Sequence, residues 1–456
     1  MISCSSINTH NGIKVPVRKK KKSIAEKLYD MYEHRILEHP NTFYGALMHM
    51  VKSSLGTGIL AIPLAFKNAG LMVGLVLTIL AGLLMLHTVQ ILIEASHHMS
   101  TLTRVPSMGF SDTAEAVFKH GPKPFRRWST FARLFVDIGM ALTYLSGNGV
   151  YIVFIGDSLE QITHYFFPNY NIPSIWLILI VTALLIFFCQ IRHLKFLVPF
   201  SVIANITMLT AFGITFFYMF KRIPDVNVKD LYLARDIRGA IKFLSTIVFC
   251  LEGIGTLLPL ENSMQKPQFL GCPGVLSIGV SFLMITYSTV GFFGYYAFGE
   301  DTKASITYNL NGDGISMVGT ICIVIAIFFT YMLQFYVPME ITWRNVSPYV
   351  PIKYENTFQI VYRTVAVILV TILAIVIPDL STIIDIVGSV FMSTLGLFVP
   401  CALNTLLNWD KGLGKFRWKL YKNLCIMTLS LFILCSGIYF SLDSLLHPEK
   451  KDSPKS

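Results

Sequence analysis

Eleven apolar stretches constrain this chain more than any other feature, each about the twenty residues that a helix needs to cross the hydrocarbon of a bilayer. They cover approximately 43–66, 71–96, 129–157, 174–191, 195–220, 240–261, 272–298, 313–338, 360–377, 380–403 and 422–444. Composition agrees: of 456 residues 54% are hydrophobic and 14% are charged, where soluble domains carry about 25% charged residues. The expected fold class is an all-α polytopic membrane protein, with the lipid bilayer as its solvent. The first forty residues are polar, hold the run Arg18-Lys19-Lys20-Lys21-Lys22 and lack an apolar signal-peptide core. The first span is therefore expected to act as its own insertion signal.

The net charge of +11 gathers in particular loops between apolar spans. That distribution reads as topology and not as nucleic-acid binding. Basic residues precede the first span and recur after the second, at Arg104, Lys119, Lys123, Arg126 and Arg127. The bias places the N-terminus in the cytosol, and an odd span count leaves the C-terminus extracellular or lumenal. The lysine cluster reads as positive-inside anchoring, with a phosphoinositide site as the alternative. Most of the cysteines (Cys4, Cys189, Cys250, Cys272, Cys322, Cys401, Cys425, Cys435) lie in or at spans, none is in a loop placed outside, and no spacing suggests a metal site. The sequons Asn345-Val346-Ser347 and Asn205-Ile206-Thr207 fall in a cytosolic loop and within a span, so neither should be glycosylated.

Two of the spans are interrupted in the same way. The first contains Ser53-Ser54-Leu55-Gly56-Thr57-Gly58-Ile59-Leu60-Ala61-Ile62-Pro63-Leu64, and the sixth contains Gly253-Ile254-Gly255-Thr256-Leu257-Leu258-Pro259-Leu260. Both read G-x-G, then apolar residues, then Pro-Leu, and both end in a charged residue plus Asn, as Lys67-Asn68 and Glu261-Asn262. Backbone groups freed by a helix break inside a bilayer are tolerable only when buried in protein or lining a cavity, which points to a transporter. Spans one to five and six to ten then form two inverted halves, with the eleventh appended. The chain divides into a basic cytosolic tail (1–42), a ten-helix core (43–403), a loop with the eleventh helix (404–444) and an outer tail (445–456). The competing reading makes Gly56, Gly58, Gly253 and Gly255 small-residue helix contacts, although G-x-G does not put both glycines on one helix face as G-x-x-x-G does.

At this point the residues resemble a known family, the proton-coupled amino acid transporters of the amino acid/auxin permease superfamily. The resemblance rests on His49-Met50-Val51-Lys52, Leu55-Gly56-Thr57-Gly58-Ile59-Leu60, Pro63-Leu64-Ala65 and Lys67-Asn68-Ala69-Gly70 in the first span. It continues in Glu252-Gly253-Ile254-Gly255 and Leu258-Pro259-Leu260-Glu261-Asn262 of the sixth and in 329–341 of the eighth. It covers roughly 40–445 and implies a leucine-transporter-like 5+5 inverted repeat and symport of protons with small neutral amino acids. Members of the family carry an exofacial disulfide between the loops after spans three and seven, whereas 158–173 and 299–312 contain no cysteine here.

An α-amino acid presents a carboxylate and an ammonium close together, so a site at the bilayer midplane needs N–H donors beside C=O acceptors. The half-helix beginning near Gly58 points a free N-terminus at the carboxylate, and carbonyls released around Phe249, Cys250 and Gly253 accept from the ammonium. Glycine suits these positions because it admits unusual φ/ψ and close ligand approach. The expected substrate contacts are Ser54, Gly56, Thr57, Gly58, Cys250 and Gly253. His49, on the face of Ser53, is either a proton acceptor or a neutral packing histidine; the resemblance associates it with proton coupling. Lys52 and Glu252 either pair as a gate or are separately solvated, Lys52 by snorkelling and Glu252 in a wet cavity. Arg133 and Asp137, at i and i+4, are expected to bridge each other.

Asp385 and Asn205 either line the permeation path or hydrogen-bond a neighbouring helix. Thr330 is the candidate sodium ligand, since sodium-coupled proteins of this fold bind the ion at that span; sodium coupling is the rival to proton coupling. No G-x-S-x-G, H-E-x-x-H, P-loop or run of histidine ligands supports an enzyme, and the reading calls for no cofactor. A non-transporting amino acid sensor is the remaining alternative. The membrane is the cell surface or the endolysosome.

Overall fold

A computed structural model describes residues 29–447, except 38, 171, 193, 224–230, 252, 272, 311 and 410–411. Among the described residues the regular structure is helical. In chain order the helices are α1 (Phe43–Ser54), α2 (Gly58–Ala69), α3 (Leu71–Thr103), α4 (Phe110–His120), α5 (Ser129–Phe166), α6 (Ser174–Phe188), α7 (Leu194–Arg222) and α8 (Ile237–Cys250). They continue as α9 (Ile254–Asn262), α10 (Val275–Phe298), α11 (Gly314–Val346), α12 (Glu355–Val376), α13 (Leu380–Ile386), α14 (Val399–Asn408) and α15 (Trp418–Leu446). Nine described helical stretches are long and apolar enough to cross a membrane; the bent pair α1–α2 and the shorter α6 occupy the remaining two expected positions.

Local chemistry fixes several helix starts. Thr42 caps α1 by accepting from the Gly45 N–H at 3.1 Å, Asp236 caps α8 through Gly239 at 3.0 Å, and Asp379 caps α13 through Thr382 at 2.8 Å. Gly70, at φ +92°, turns α2 into α3; a Cβ there would lie 2.8 Å from the backbone of Ala234. That close approach lets 232–235 lie along the turn: Leu71 and Met72 N–H groups donate to Tyr232 and Leu233 carbonyls, and Arg235 N–H donates to Ala69.

The helices sort into two packed groups. One joins the broken spans to their neighbours: α2 lies against α8 and α10, α3 against α8 and α10, and α1 against α9 and α10. The other centres on α11, which packs along α5 and α7, while α12 packs on α5 and α6. Ile59, Leu60, Ile62 and Phe66 of α2 are buried, and Phe66 meets Phe243 of α8 edge-on. Outward faces carry Leu80, Phe131, Ile180, Leu209 and Ile285 exposed, the pattern of a lipid-facing surface.

Three features depart from the sequence expectation. The stretch after the second span folds as α4, whose Asp112 and Glu115 receive Arg133 of α5 at 3.3 and 2.9 Å. The expected bridge between Arg133 and Asp137 is present at 4.0 Å but is shared, since Asp137 also accepts from Arg344 of α11 at 3.2 Å. The tenth span, expected as one helix over 380–403, is α-helical only to Ile386, then π-helical through Val387–Met392 and Thr394–Phe398 before α14. The described cysteines are free thiols.

Candidate functional site

The two interrupted spans meet. α1 stops at Ser54 and α2 starts at Gly58 with a bend of 58° between them. α8 stops at Cys250, and α9 starts at Ile254. Gly58 packs against Cys250 so closely that a Cβ on it would lie 3.0 Å from the Cys250 Cα, and the Cys250 thiol donates to the Gly58 carbonyl at 3.2 Å. At Gly58 glycine is needed for approach and not for left-handed geometry: Gly56 and Gly58 are not among the residues with left-handed φ, and Gly253 at φ 174° is outside that region too. At Gly58 the unusual-dihedral rationale is therefore replaced by a steric one, whereas a Cβ on Gly253 would only reach ordinary contact, 3.4 Å from the Ser54 hydroxyl. Gly56 differs, since a Cβ on it would meet nothing within 4 Å.

A tyrosine not singled out from the sequence joins the two breaks. Tyr287 of α10 is 0% exposed, and its hydroxyl lies 2.6 Å from the Ser54 carbonyl and 2.7 Å from the Cys250 carbonyl. One hydroxyl proton thus serves the last carbonyl of α1 and the last carbonyl of α8, groups that a helix end leaves without intrahelical partners. The Cys250 carbonyl, expected to be open for an ammonium, is engaged by this residue. The signal was present as a polar cluster, Thr286-Tyr287-Ser288-Thr289, inside an apolar span.

Around the clamp stand further polar groups. The Ser54 hydroxyl is buried without a hydrogen-bond partner in the described structure, and lies 3.4 Å from where a Gly253 Cβ would be. Thr57 is buried beside it. Thr256 of α9 donates to the Gly253 carbonyl at 3.0 Å and approaches the Ser53 hydroxyl at 3.5 Å. From α5, the Tyr144 hydroxyl lies 2.6 Å from where a Gly255 Cβ would be. An apolar crevice of about 410 Å³ between α3, α8, the π turns and α15 opens on Gly253.

The charged candidates lie elsewhere. His49, Lys52 and Ser53 share an exposed face of α1, and the Lys52 ammonium donates to the Ser201 hydroxyl of α7 at 3.2 Å. Its expected partner Glu252 is outside the described residues. Thr330 spends its hydroxyl proton on the Ala326 carbonyl of its own helix at 2.7 Å. Asn205 is half-buried on α7. Asp385 accepts from Thr246 of α8 at 2.7 Å.

The charged residues that end the two motifs have distinct partners. Glu261, 0% exposed, receives Arg35 at 2.9 Å, the Tyr32 hydroxyl at 2.9 Å and His97 at 2.8 Å. Arg35 also donates to the carbonyls of Glu261, Met264 and Pro106. Burial pushes the Tyr32 phenol well above its usual range, and the Glu261 carboxylate adds to that, so Tyr32 stays a donor. Lys67, the counterpart, donates to the carbonyls of Glu300 and Thr302 at 2.6 and 3.3 Å. The two ties sit near opposite ends of α3, which meets Tyr232 at Leu71 and Glu261 at His97, about 40 Å apart along the helix.

Comparison with known proteins gives one consistent answer. The family model described as "Transmembrane amino acid transporter protein" matches residues 39–442. The chain is 33% identical over 426 residues to "Proton-coupled amino acid transporter-like protein pathetic" of Drosophila melanogaster, covering 93% of this chain and 89% of that one. It is 27% identical to "Amino acid transporter AVT3C" of Arabidopsis thaliana, over 86% of this chain and 88% of that protein. The crystal structure of MhsT in complex with L-phenylalanine matches with a TM-score of 0.50 at 14% identity, over 88% of this chain and 99% of that chain. That likeness carries the fold, a leucine-transporter-like inverted repeat with broken first and sixth spans. Matched along most of its length, this multi-pass membrane protein belongs to the transmembrane amino acid transporter family.

Proposed function

We propose that this chain is a proton-coupled symporter of small neutral amino acids that works by alternating access, with its substrate held between the two helix breaks. The observation that carries the reading is the Tyr287 clamp, which holds the ends of α1 and α8 together beside the unpartnered Ser54 hydroxyl. The first turn of α2, at Gly58, supplies N–H donors and the positive end of a helix dipole to a carboxylate. The α8–α9 break faces the ammonium, with Gly253 beside the Ser54 hydroxyl and its own carbonyl already taken by Thr256, and Ser54 and Thr57 add hydroxyls. The open space at Gly56 receives the side chain, and the tight contact of Gly58 with Cys250 keeps that space small. His49 carries the coupled proton on its imidazole. Lys52 contributes to the gate, with Glu252 as its proposed partner.

The proton coupling draws on the printed name of the Drosophila relative and on His49. The N-terminal tail faces the cytosol and the C-terminal tail the outside or a lumen, in the plasma membrane or an endolysosomal membrane. Residues 43–403 form the transport core, and 404–444 add the loop and eleventh helix. The test is uptake of an amino acid panel by reconstituted protein at two outside pH values, with and without sodium. Accumulation of alanine, glycine or proline on acidification alone is the expected result, abolished in His49→Ala with the protein still in the membrane. Accumulation that requires sodium overturns the coupling and brings Thr330 forward; binding without flux under either gradient makes the chain a sensor.

A further inference from the structure

The polar seam between α8, the tenth span and α15 lies apart from the substrate contacts named above. Asp385, near the end of α13, is half-buried within the bundle and accepts from the Thr246 hydroxyl at 2.7 Å. Among the described residues no cation lies within ion-pair distance of it. Glycines make this seam close: a Cβ on Gly388 would lie 2.0 Å from the Ser245 carbonyl of α8, and one on Gly437 of α15 would lie 2.2 Å from Ser389. The Ser245 hydroxyl is buried here without a hydrogen-bond partner in the described structure, 3.2 Å from where a Gly437 Cβ would be. Ser389 donates to the Asp385 carbonyl at 2.6 Å. The π turns begin two residues after Asp385, a helix distortion that recurs at functional sites.

We propose that Asp385 is a second proton-binding group of the transport cycle, placed where a proton changes the contact between α8 and the tenth span. The inference rests on the proton-coupled reading above. A carboxylate among membrane spans with one neutral donor and no ion partner is disfavoured as an anion, and taking up a proton relieves that cost. The proton enters as H⁺ on the carboxylate oxygen and leaves from the same oxygen on the other side of the membrane, so no other group is changed. When protonated, the carboxyl has a hydrogen to donate, and the unpartnered Ser245 hydroxyl gives the seam an unused acceptor. Thr246 lies one turn before Cys250 on the same face of α8, so a rearrangement of the pair is transmitted to the helix end held by Tyr287.

The neighbouring charges are accounted for. Lys242 of α8 and Asp379 at the α13 cap act on Asp385 only through their fields. On α15, Asp443 is paired with Arg238 and with His447. On α5, Asp157 faces the Tyr308 hydroxyl at 3.5 Å.

The experiment uses the full chain in liposomes with labelled alanine, comparing uptake driven by an inward proton gradient with exchange at equal pH. Asp385→Asn, a fixed mimic of the protonated state, is expected to lose about tenfold or more of driven accumulation while exchange falls no more than about threefold. Its exchange should also vary less with pH than that of the wild type, the His49 contribution remaining. Thr246→Val keeps the carboxylate and removes its donor. It should move the pH midpoint of driven uptake to higher pH, because the ionised form has lost the bond that favours it. Driven accumulation by Asp385→Asn equal to wild type, or an unmoved midpoint in Thr246→Val, overturns the assignment. Absence of driven uptake in the wild type overturns the coupling reading itself and this inference with it, a result distinct from either variant's.

Discussion

A single hydroxyl at Tyr287 does what neither helix end can do alone. Ser54 and Cys250 are distant in sequence and are brought together by Tyr287, whose bonds reach back across 233 and 37 residues of chain. Tyr287→Phe keeps the ring, and the packing of a fully buried side chain, but leaves two buried carbonyls without that donor. Such a loss costs about 1–3 kcal/mol, and each 1.4 kcal/mol is a factor of ten in an equilibrium constant. We expect membrane levels near wild type and KM for the transported amino acid raised about tenfold, read from initial uptake rates. Equal KM in both proteins would remove Tyr287 from the site. The glycine breaks were legible in the sequence because a G-x-G inside an apolar span has few local explanations. Tyr287 was not, because its role arises from through-space contacts that no local pattern encodes. The steric part of Gly58 was hidden for the same reason: it depends on Cys250, 192 residues away.

At the scale of elements, hydropathy locates spans well and says little about their internal geometry. The eleven stretches correspond to helical segments, including the short α6, because length and apolar content are sufficient to name a span. α4 escaped because an amphipathic helix of 11 residues has no such signature. The π turns of the tenth span escaped because they form against other helices, where Gly388 meets the Ser245 carbonyl and Gly437 meets Ser389. Gly388→Ala puts a methyl 2.0 Å from a backbone oxygen that cannot rotate away. Overpacking of this kind costs about 1–3 kcal/mol. The expected outcome is a lower melting temperature in detergent and a loss of transport that addition of substrate does not restore. A variant as stable as the wild type would mean that α8 and the tenth span separate freely, and would also weaken the seam around Asp385.

For the whole molecule, the inverted halves give each second half-helix a charged last turn that ties down a non-helical segment. α2 uses Lys67 on the carbonyls after α10; α9 uses Glu261 on the segment before α1 and on His97 of α3. The sequence echo Lys67-Asn68 and Glu261-Asn262 made the correspondence visible, but not that Glu261 would be wholly buried with Arg35 as its partner. Alternating access requires one end of such a bundle to part while the other holds. In the proposed cycle, parting the Glu261 end would separate a buried ion pair, so this contact would weigh heavily in the balance between its two states. Removing one partner of a buried pair costs about 3–5 kcal/mol, because the remaining charge stays uncompensated, whereas removing both charges costs far less. Arg35→Ala alone is therefore expected to destabilise the closed arrangement of this end and to reduce uptake strongly. Glu261→Gln added to it removes the stranded carboxylate and keeps an acceptor for Tyr32, so the double variant should be more stable than Arg35→Ala. Melting temperatures of the wild type, both single variants and the double variant measure the coupling directly as a double-mutant cycle. Additive effects would show that Arg35 and Glu261 act independently and that their ion pair is not an energetic unit.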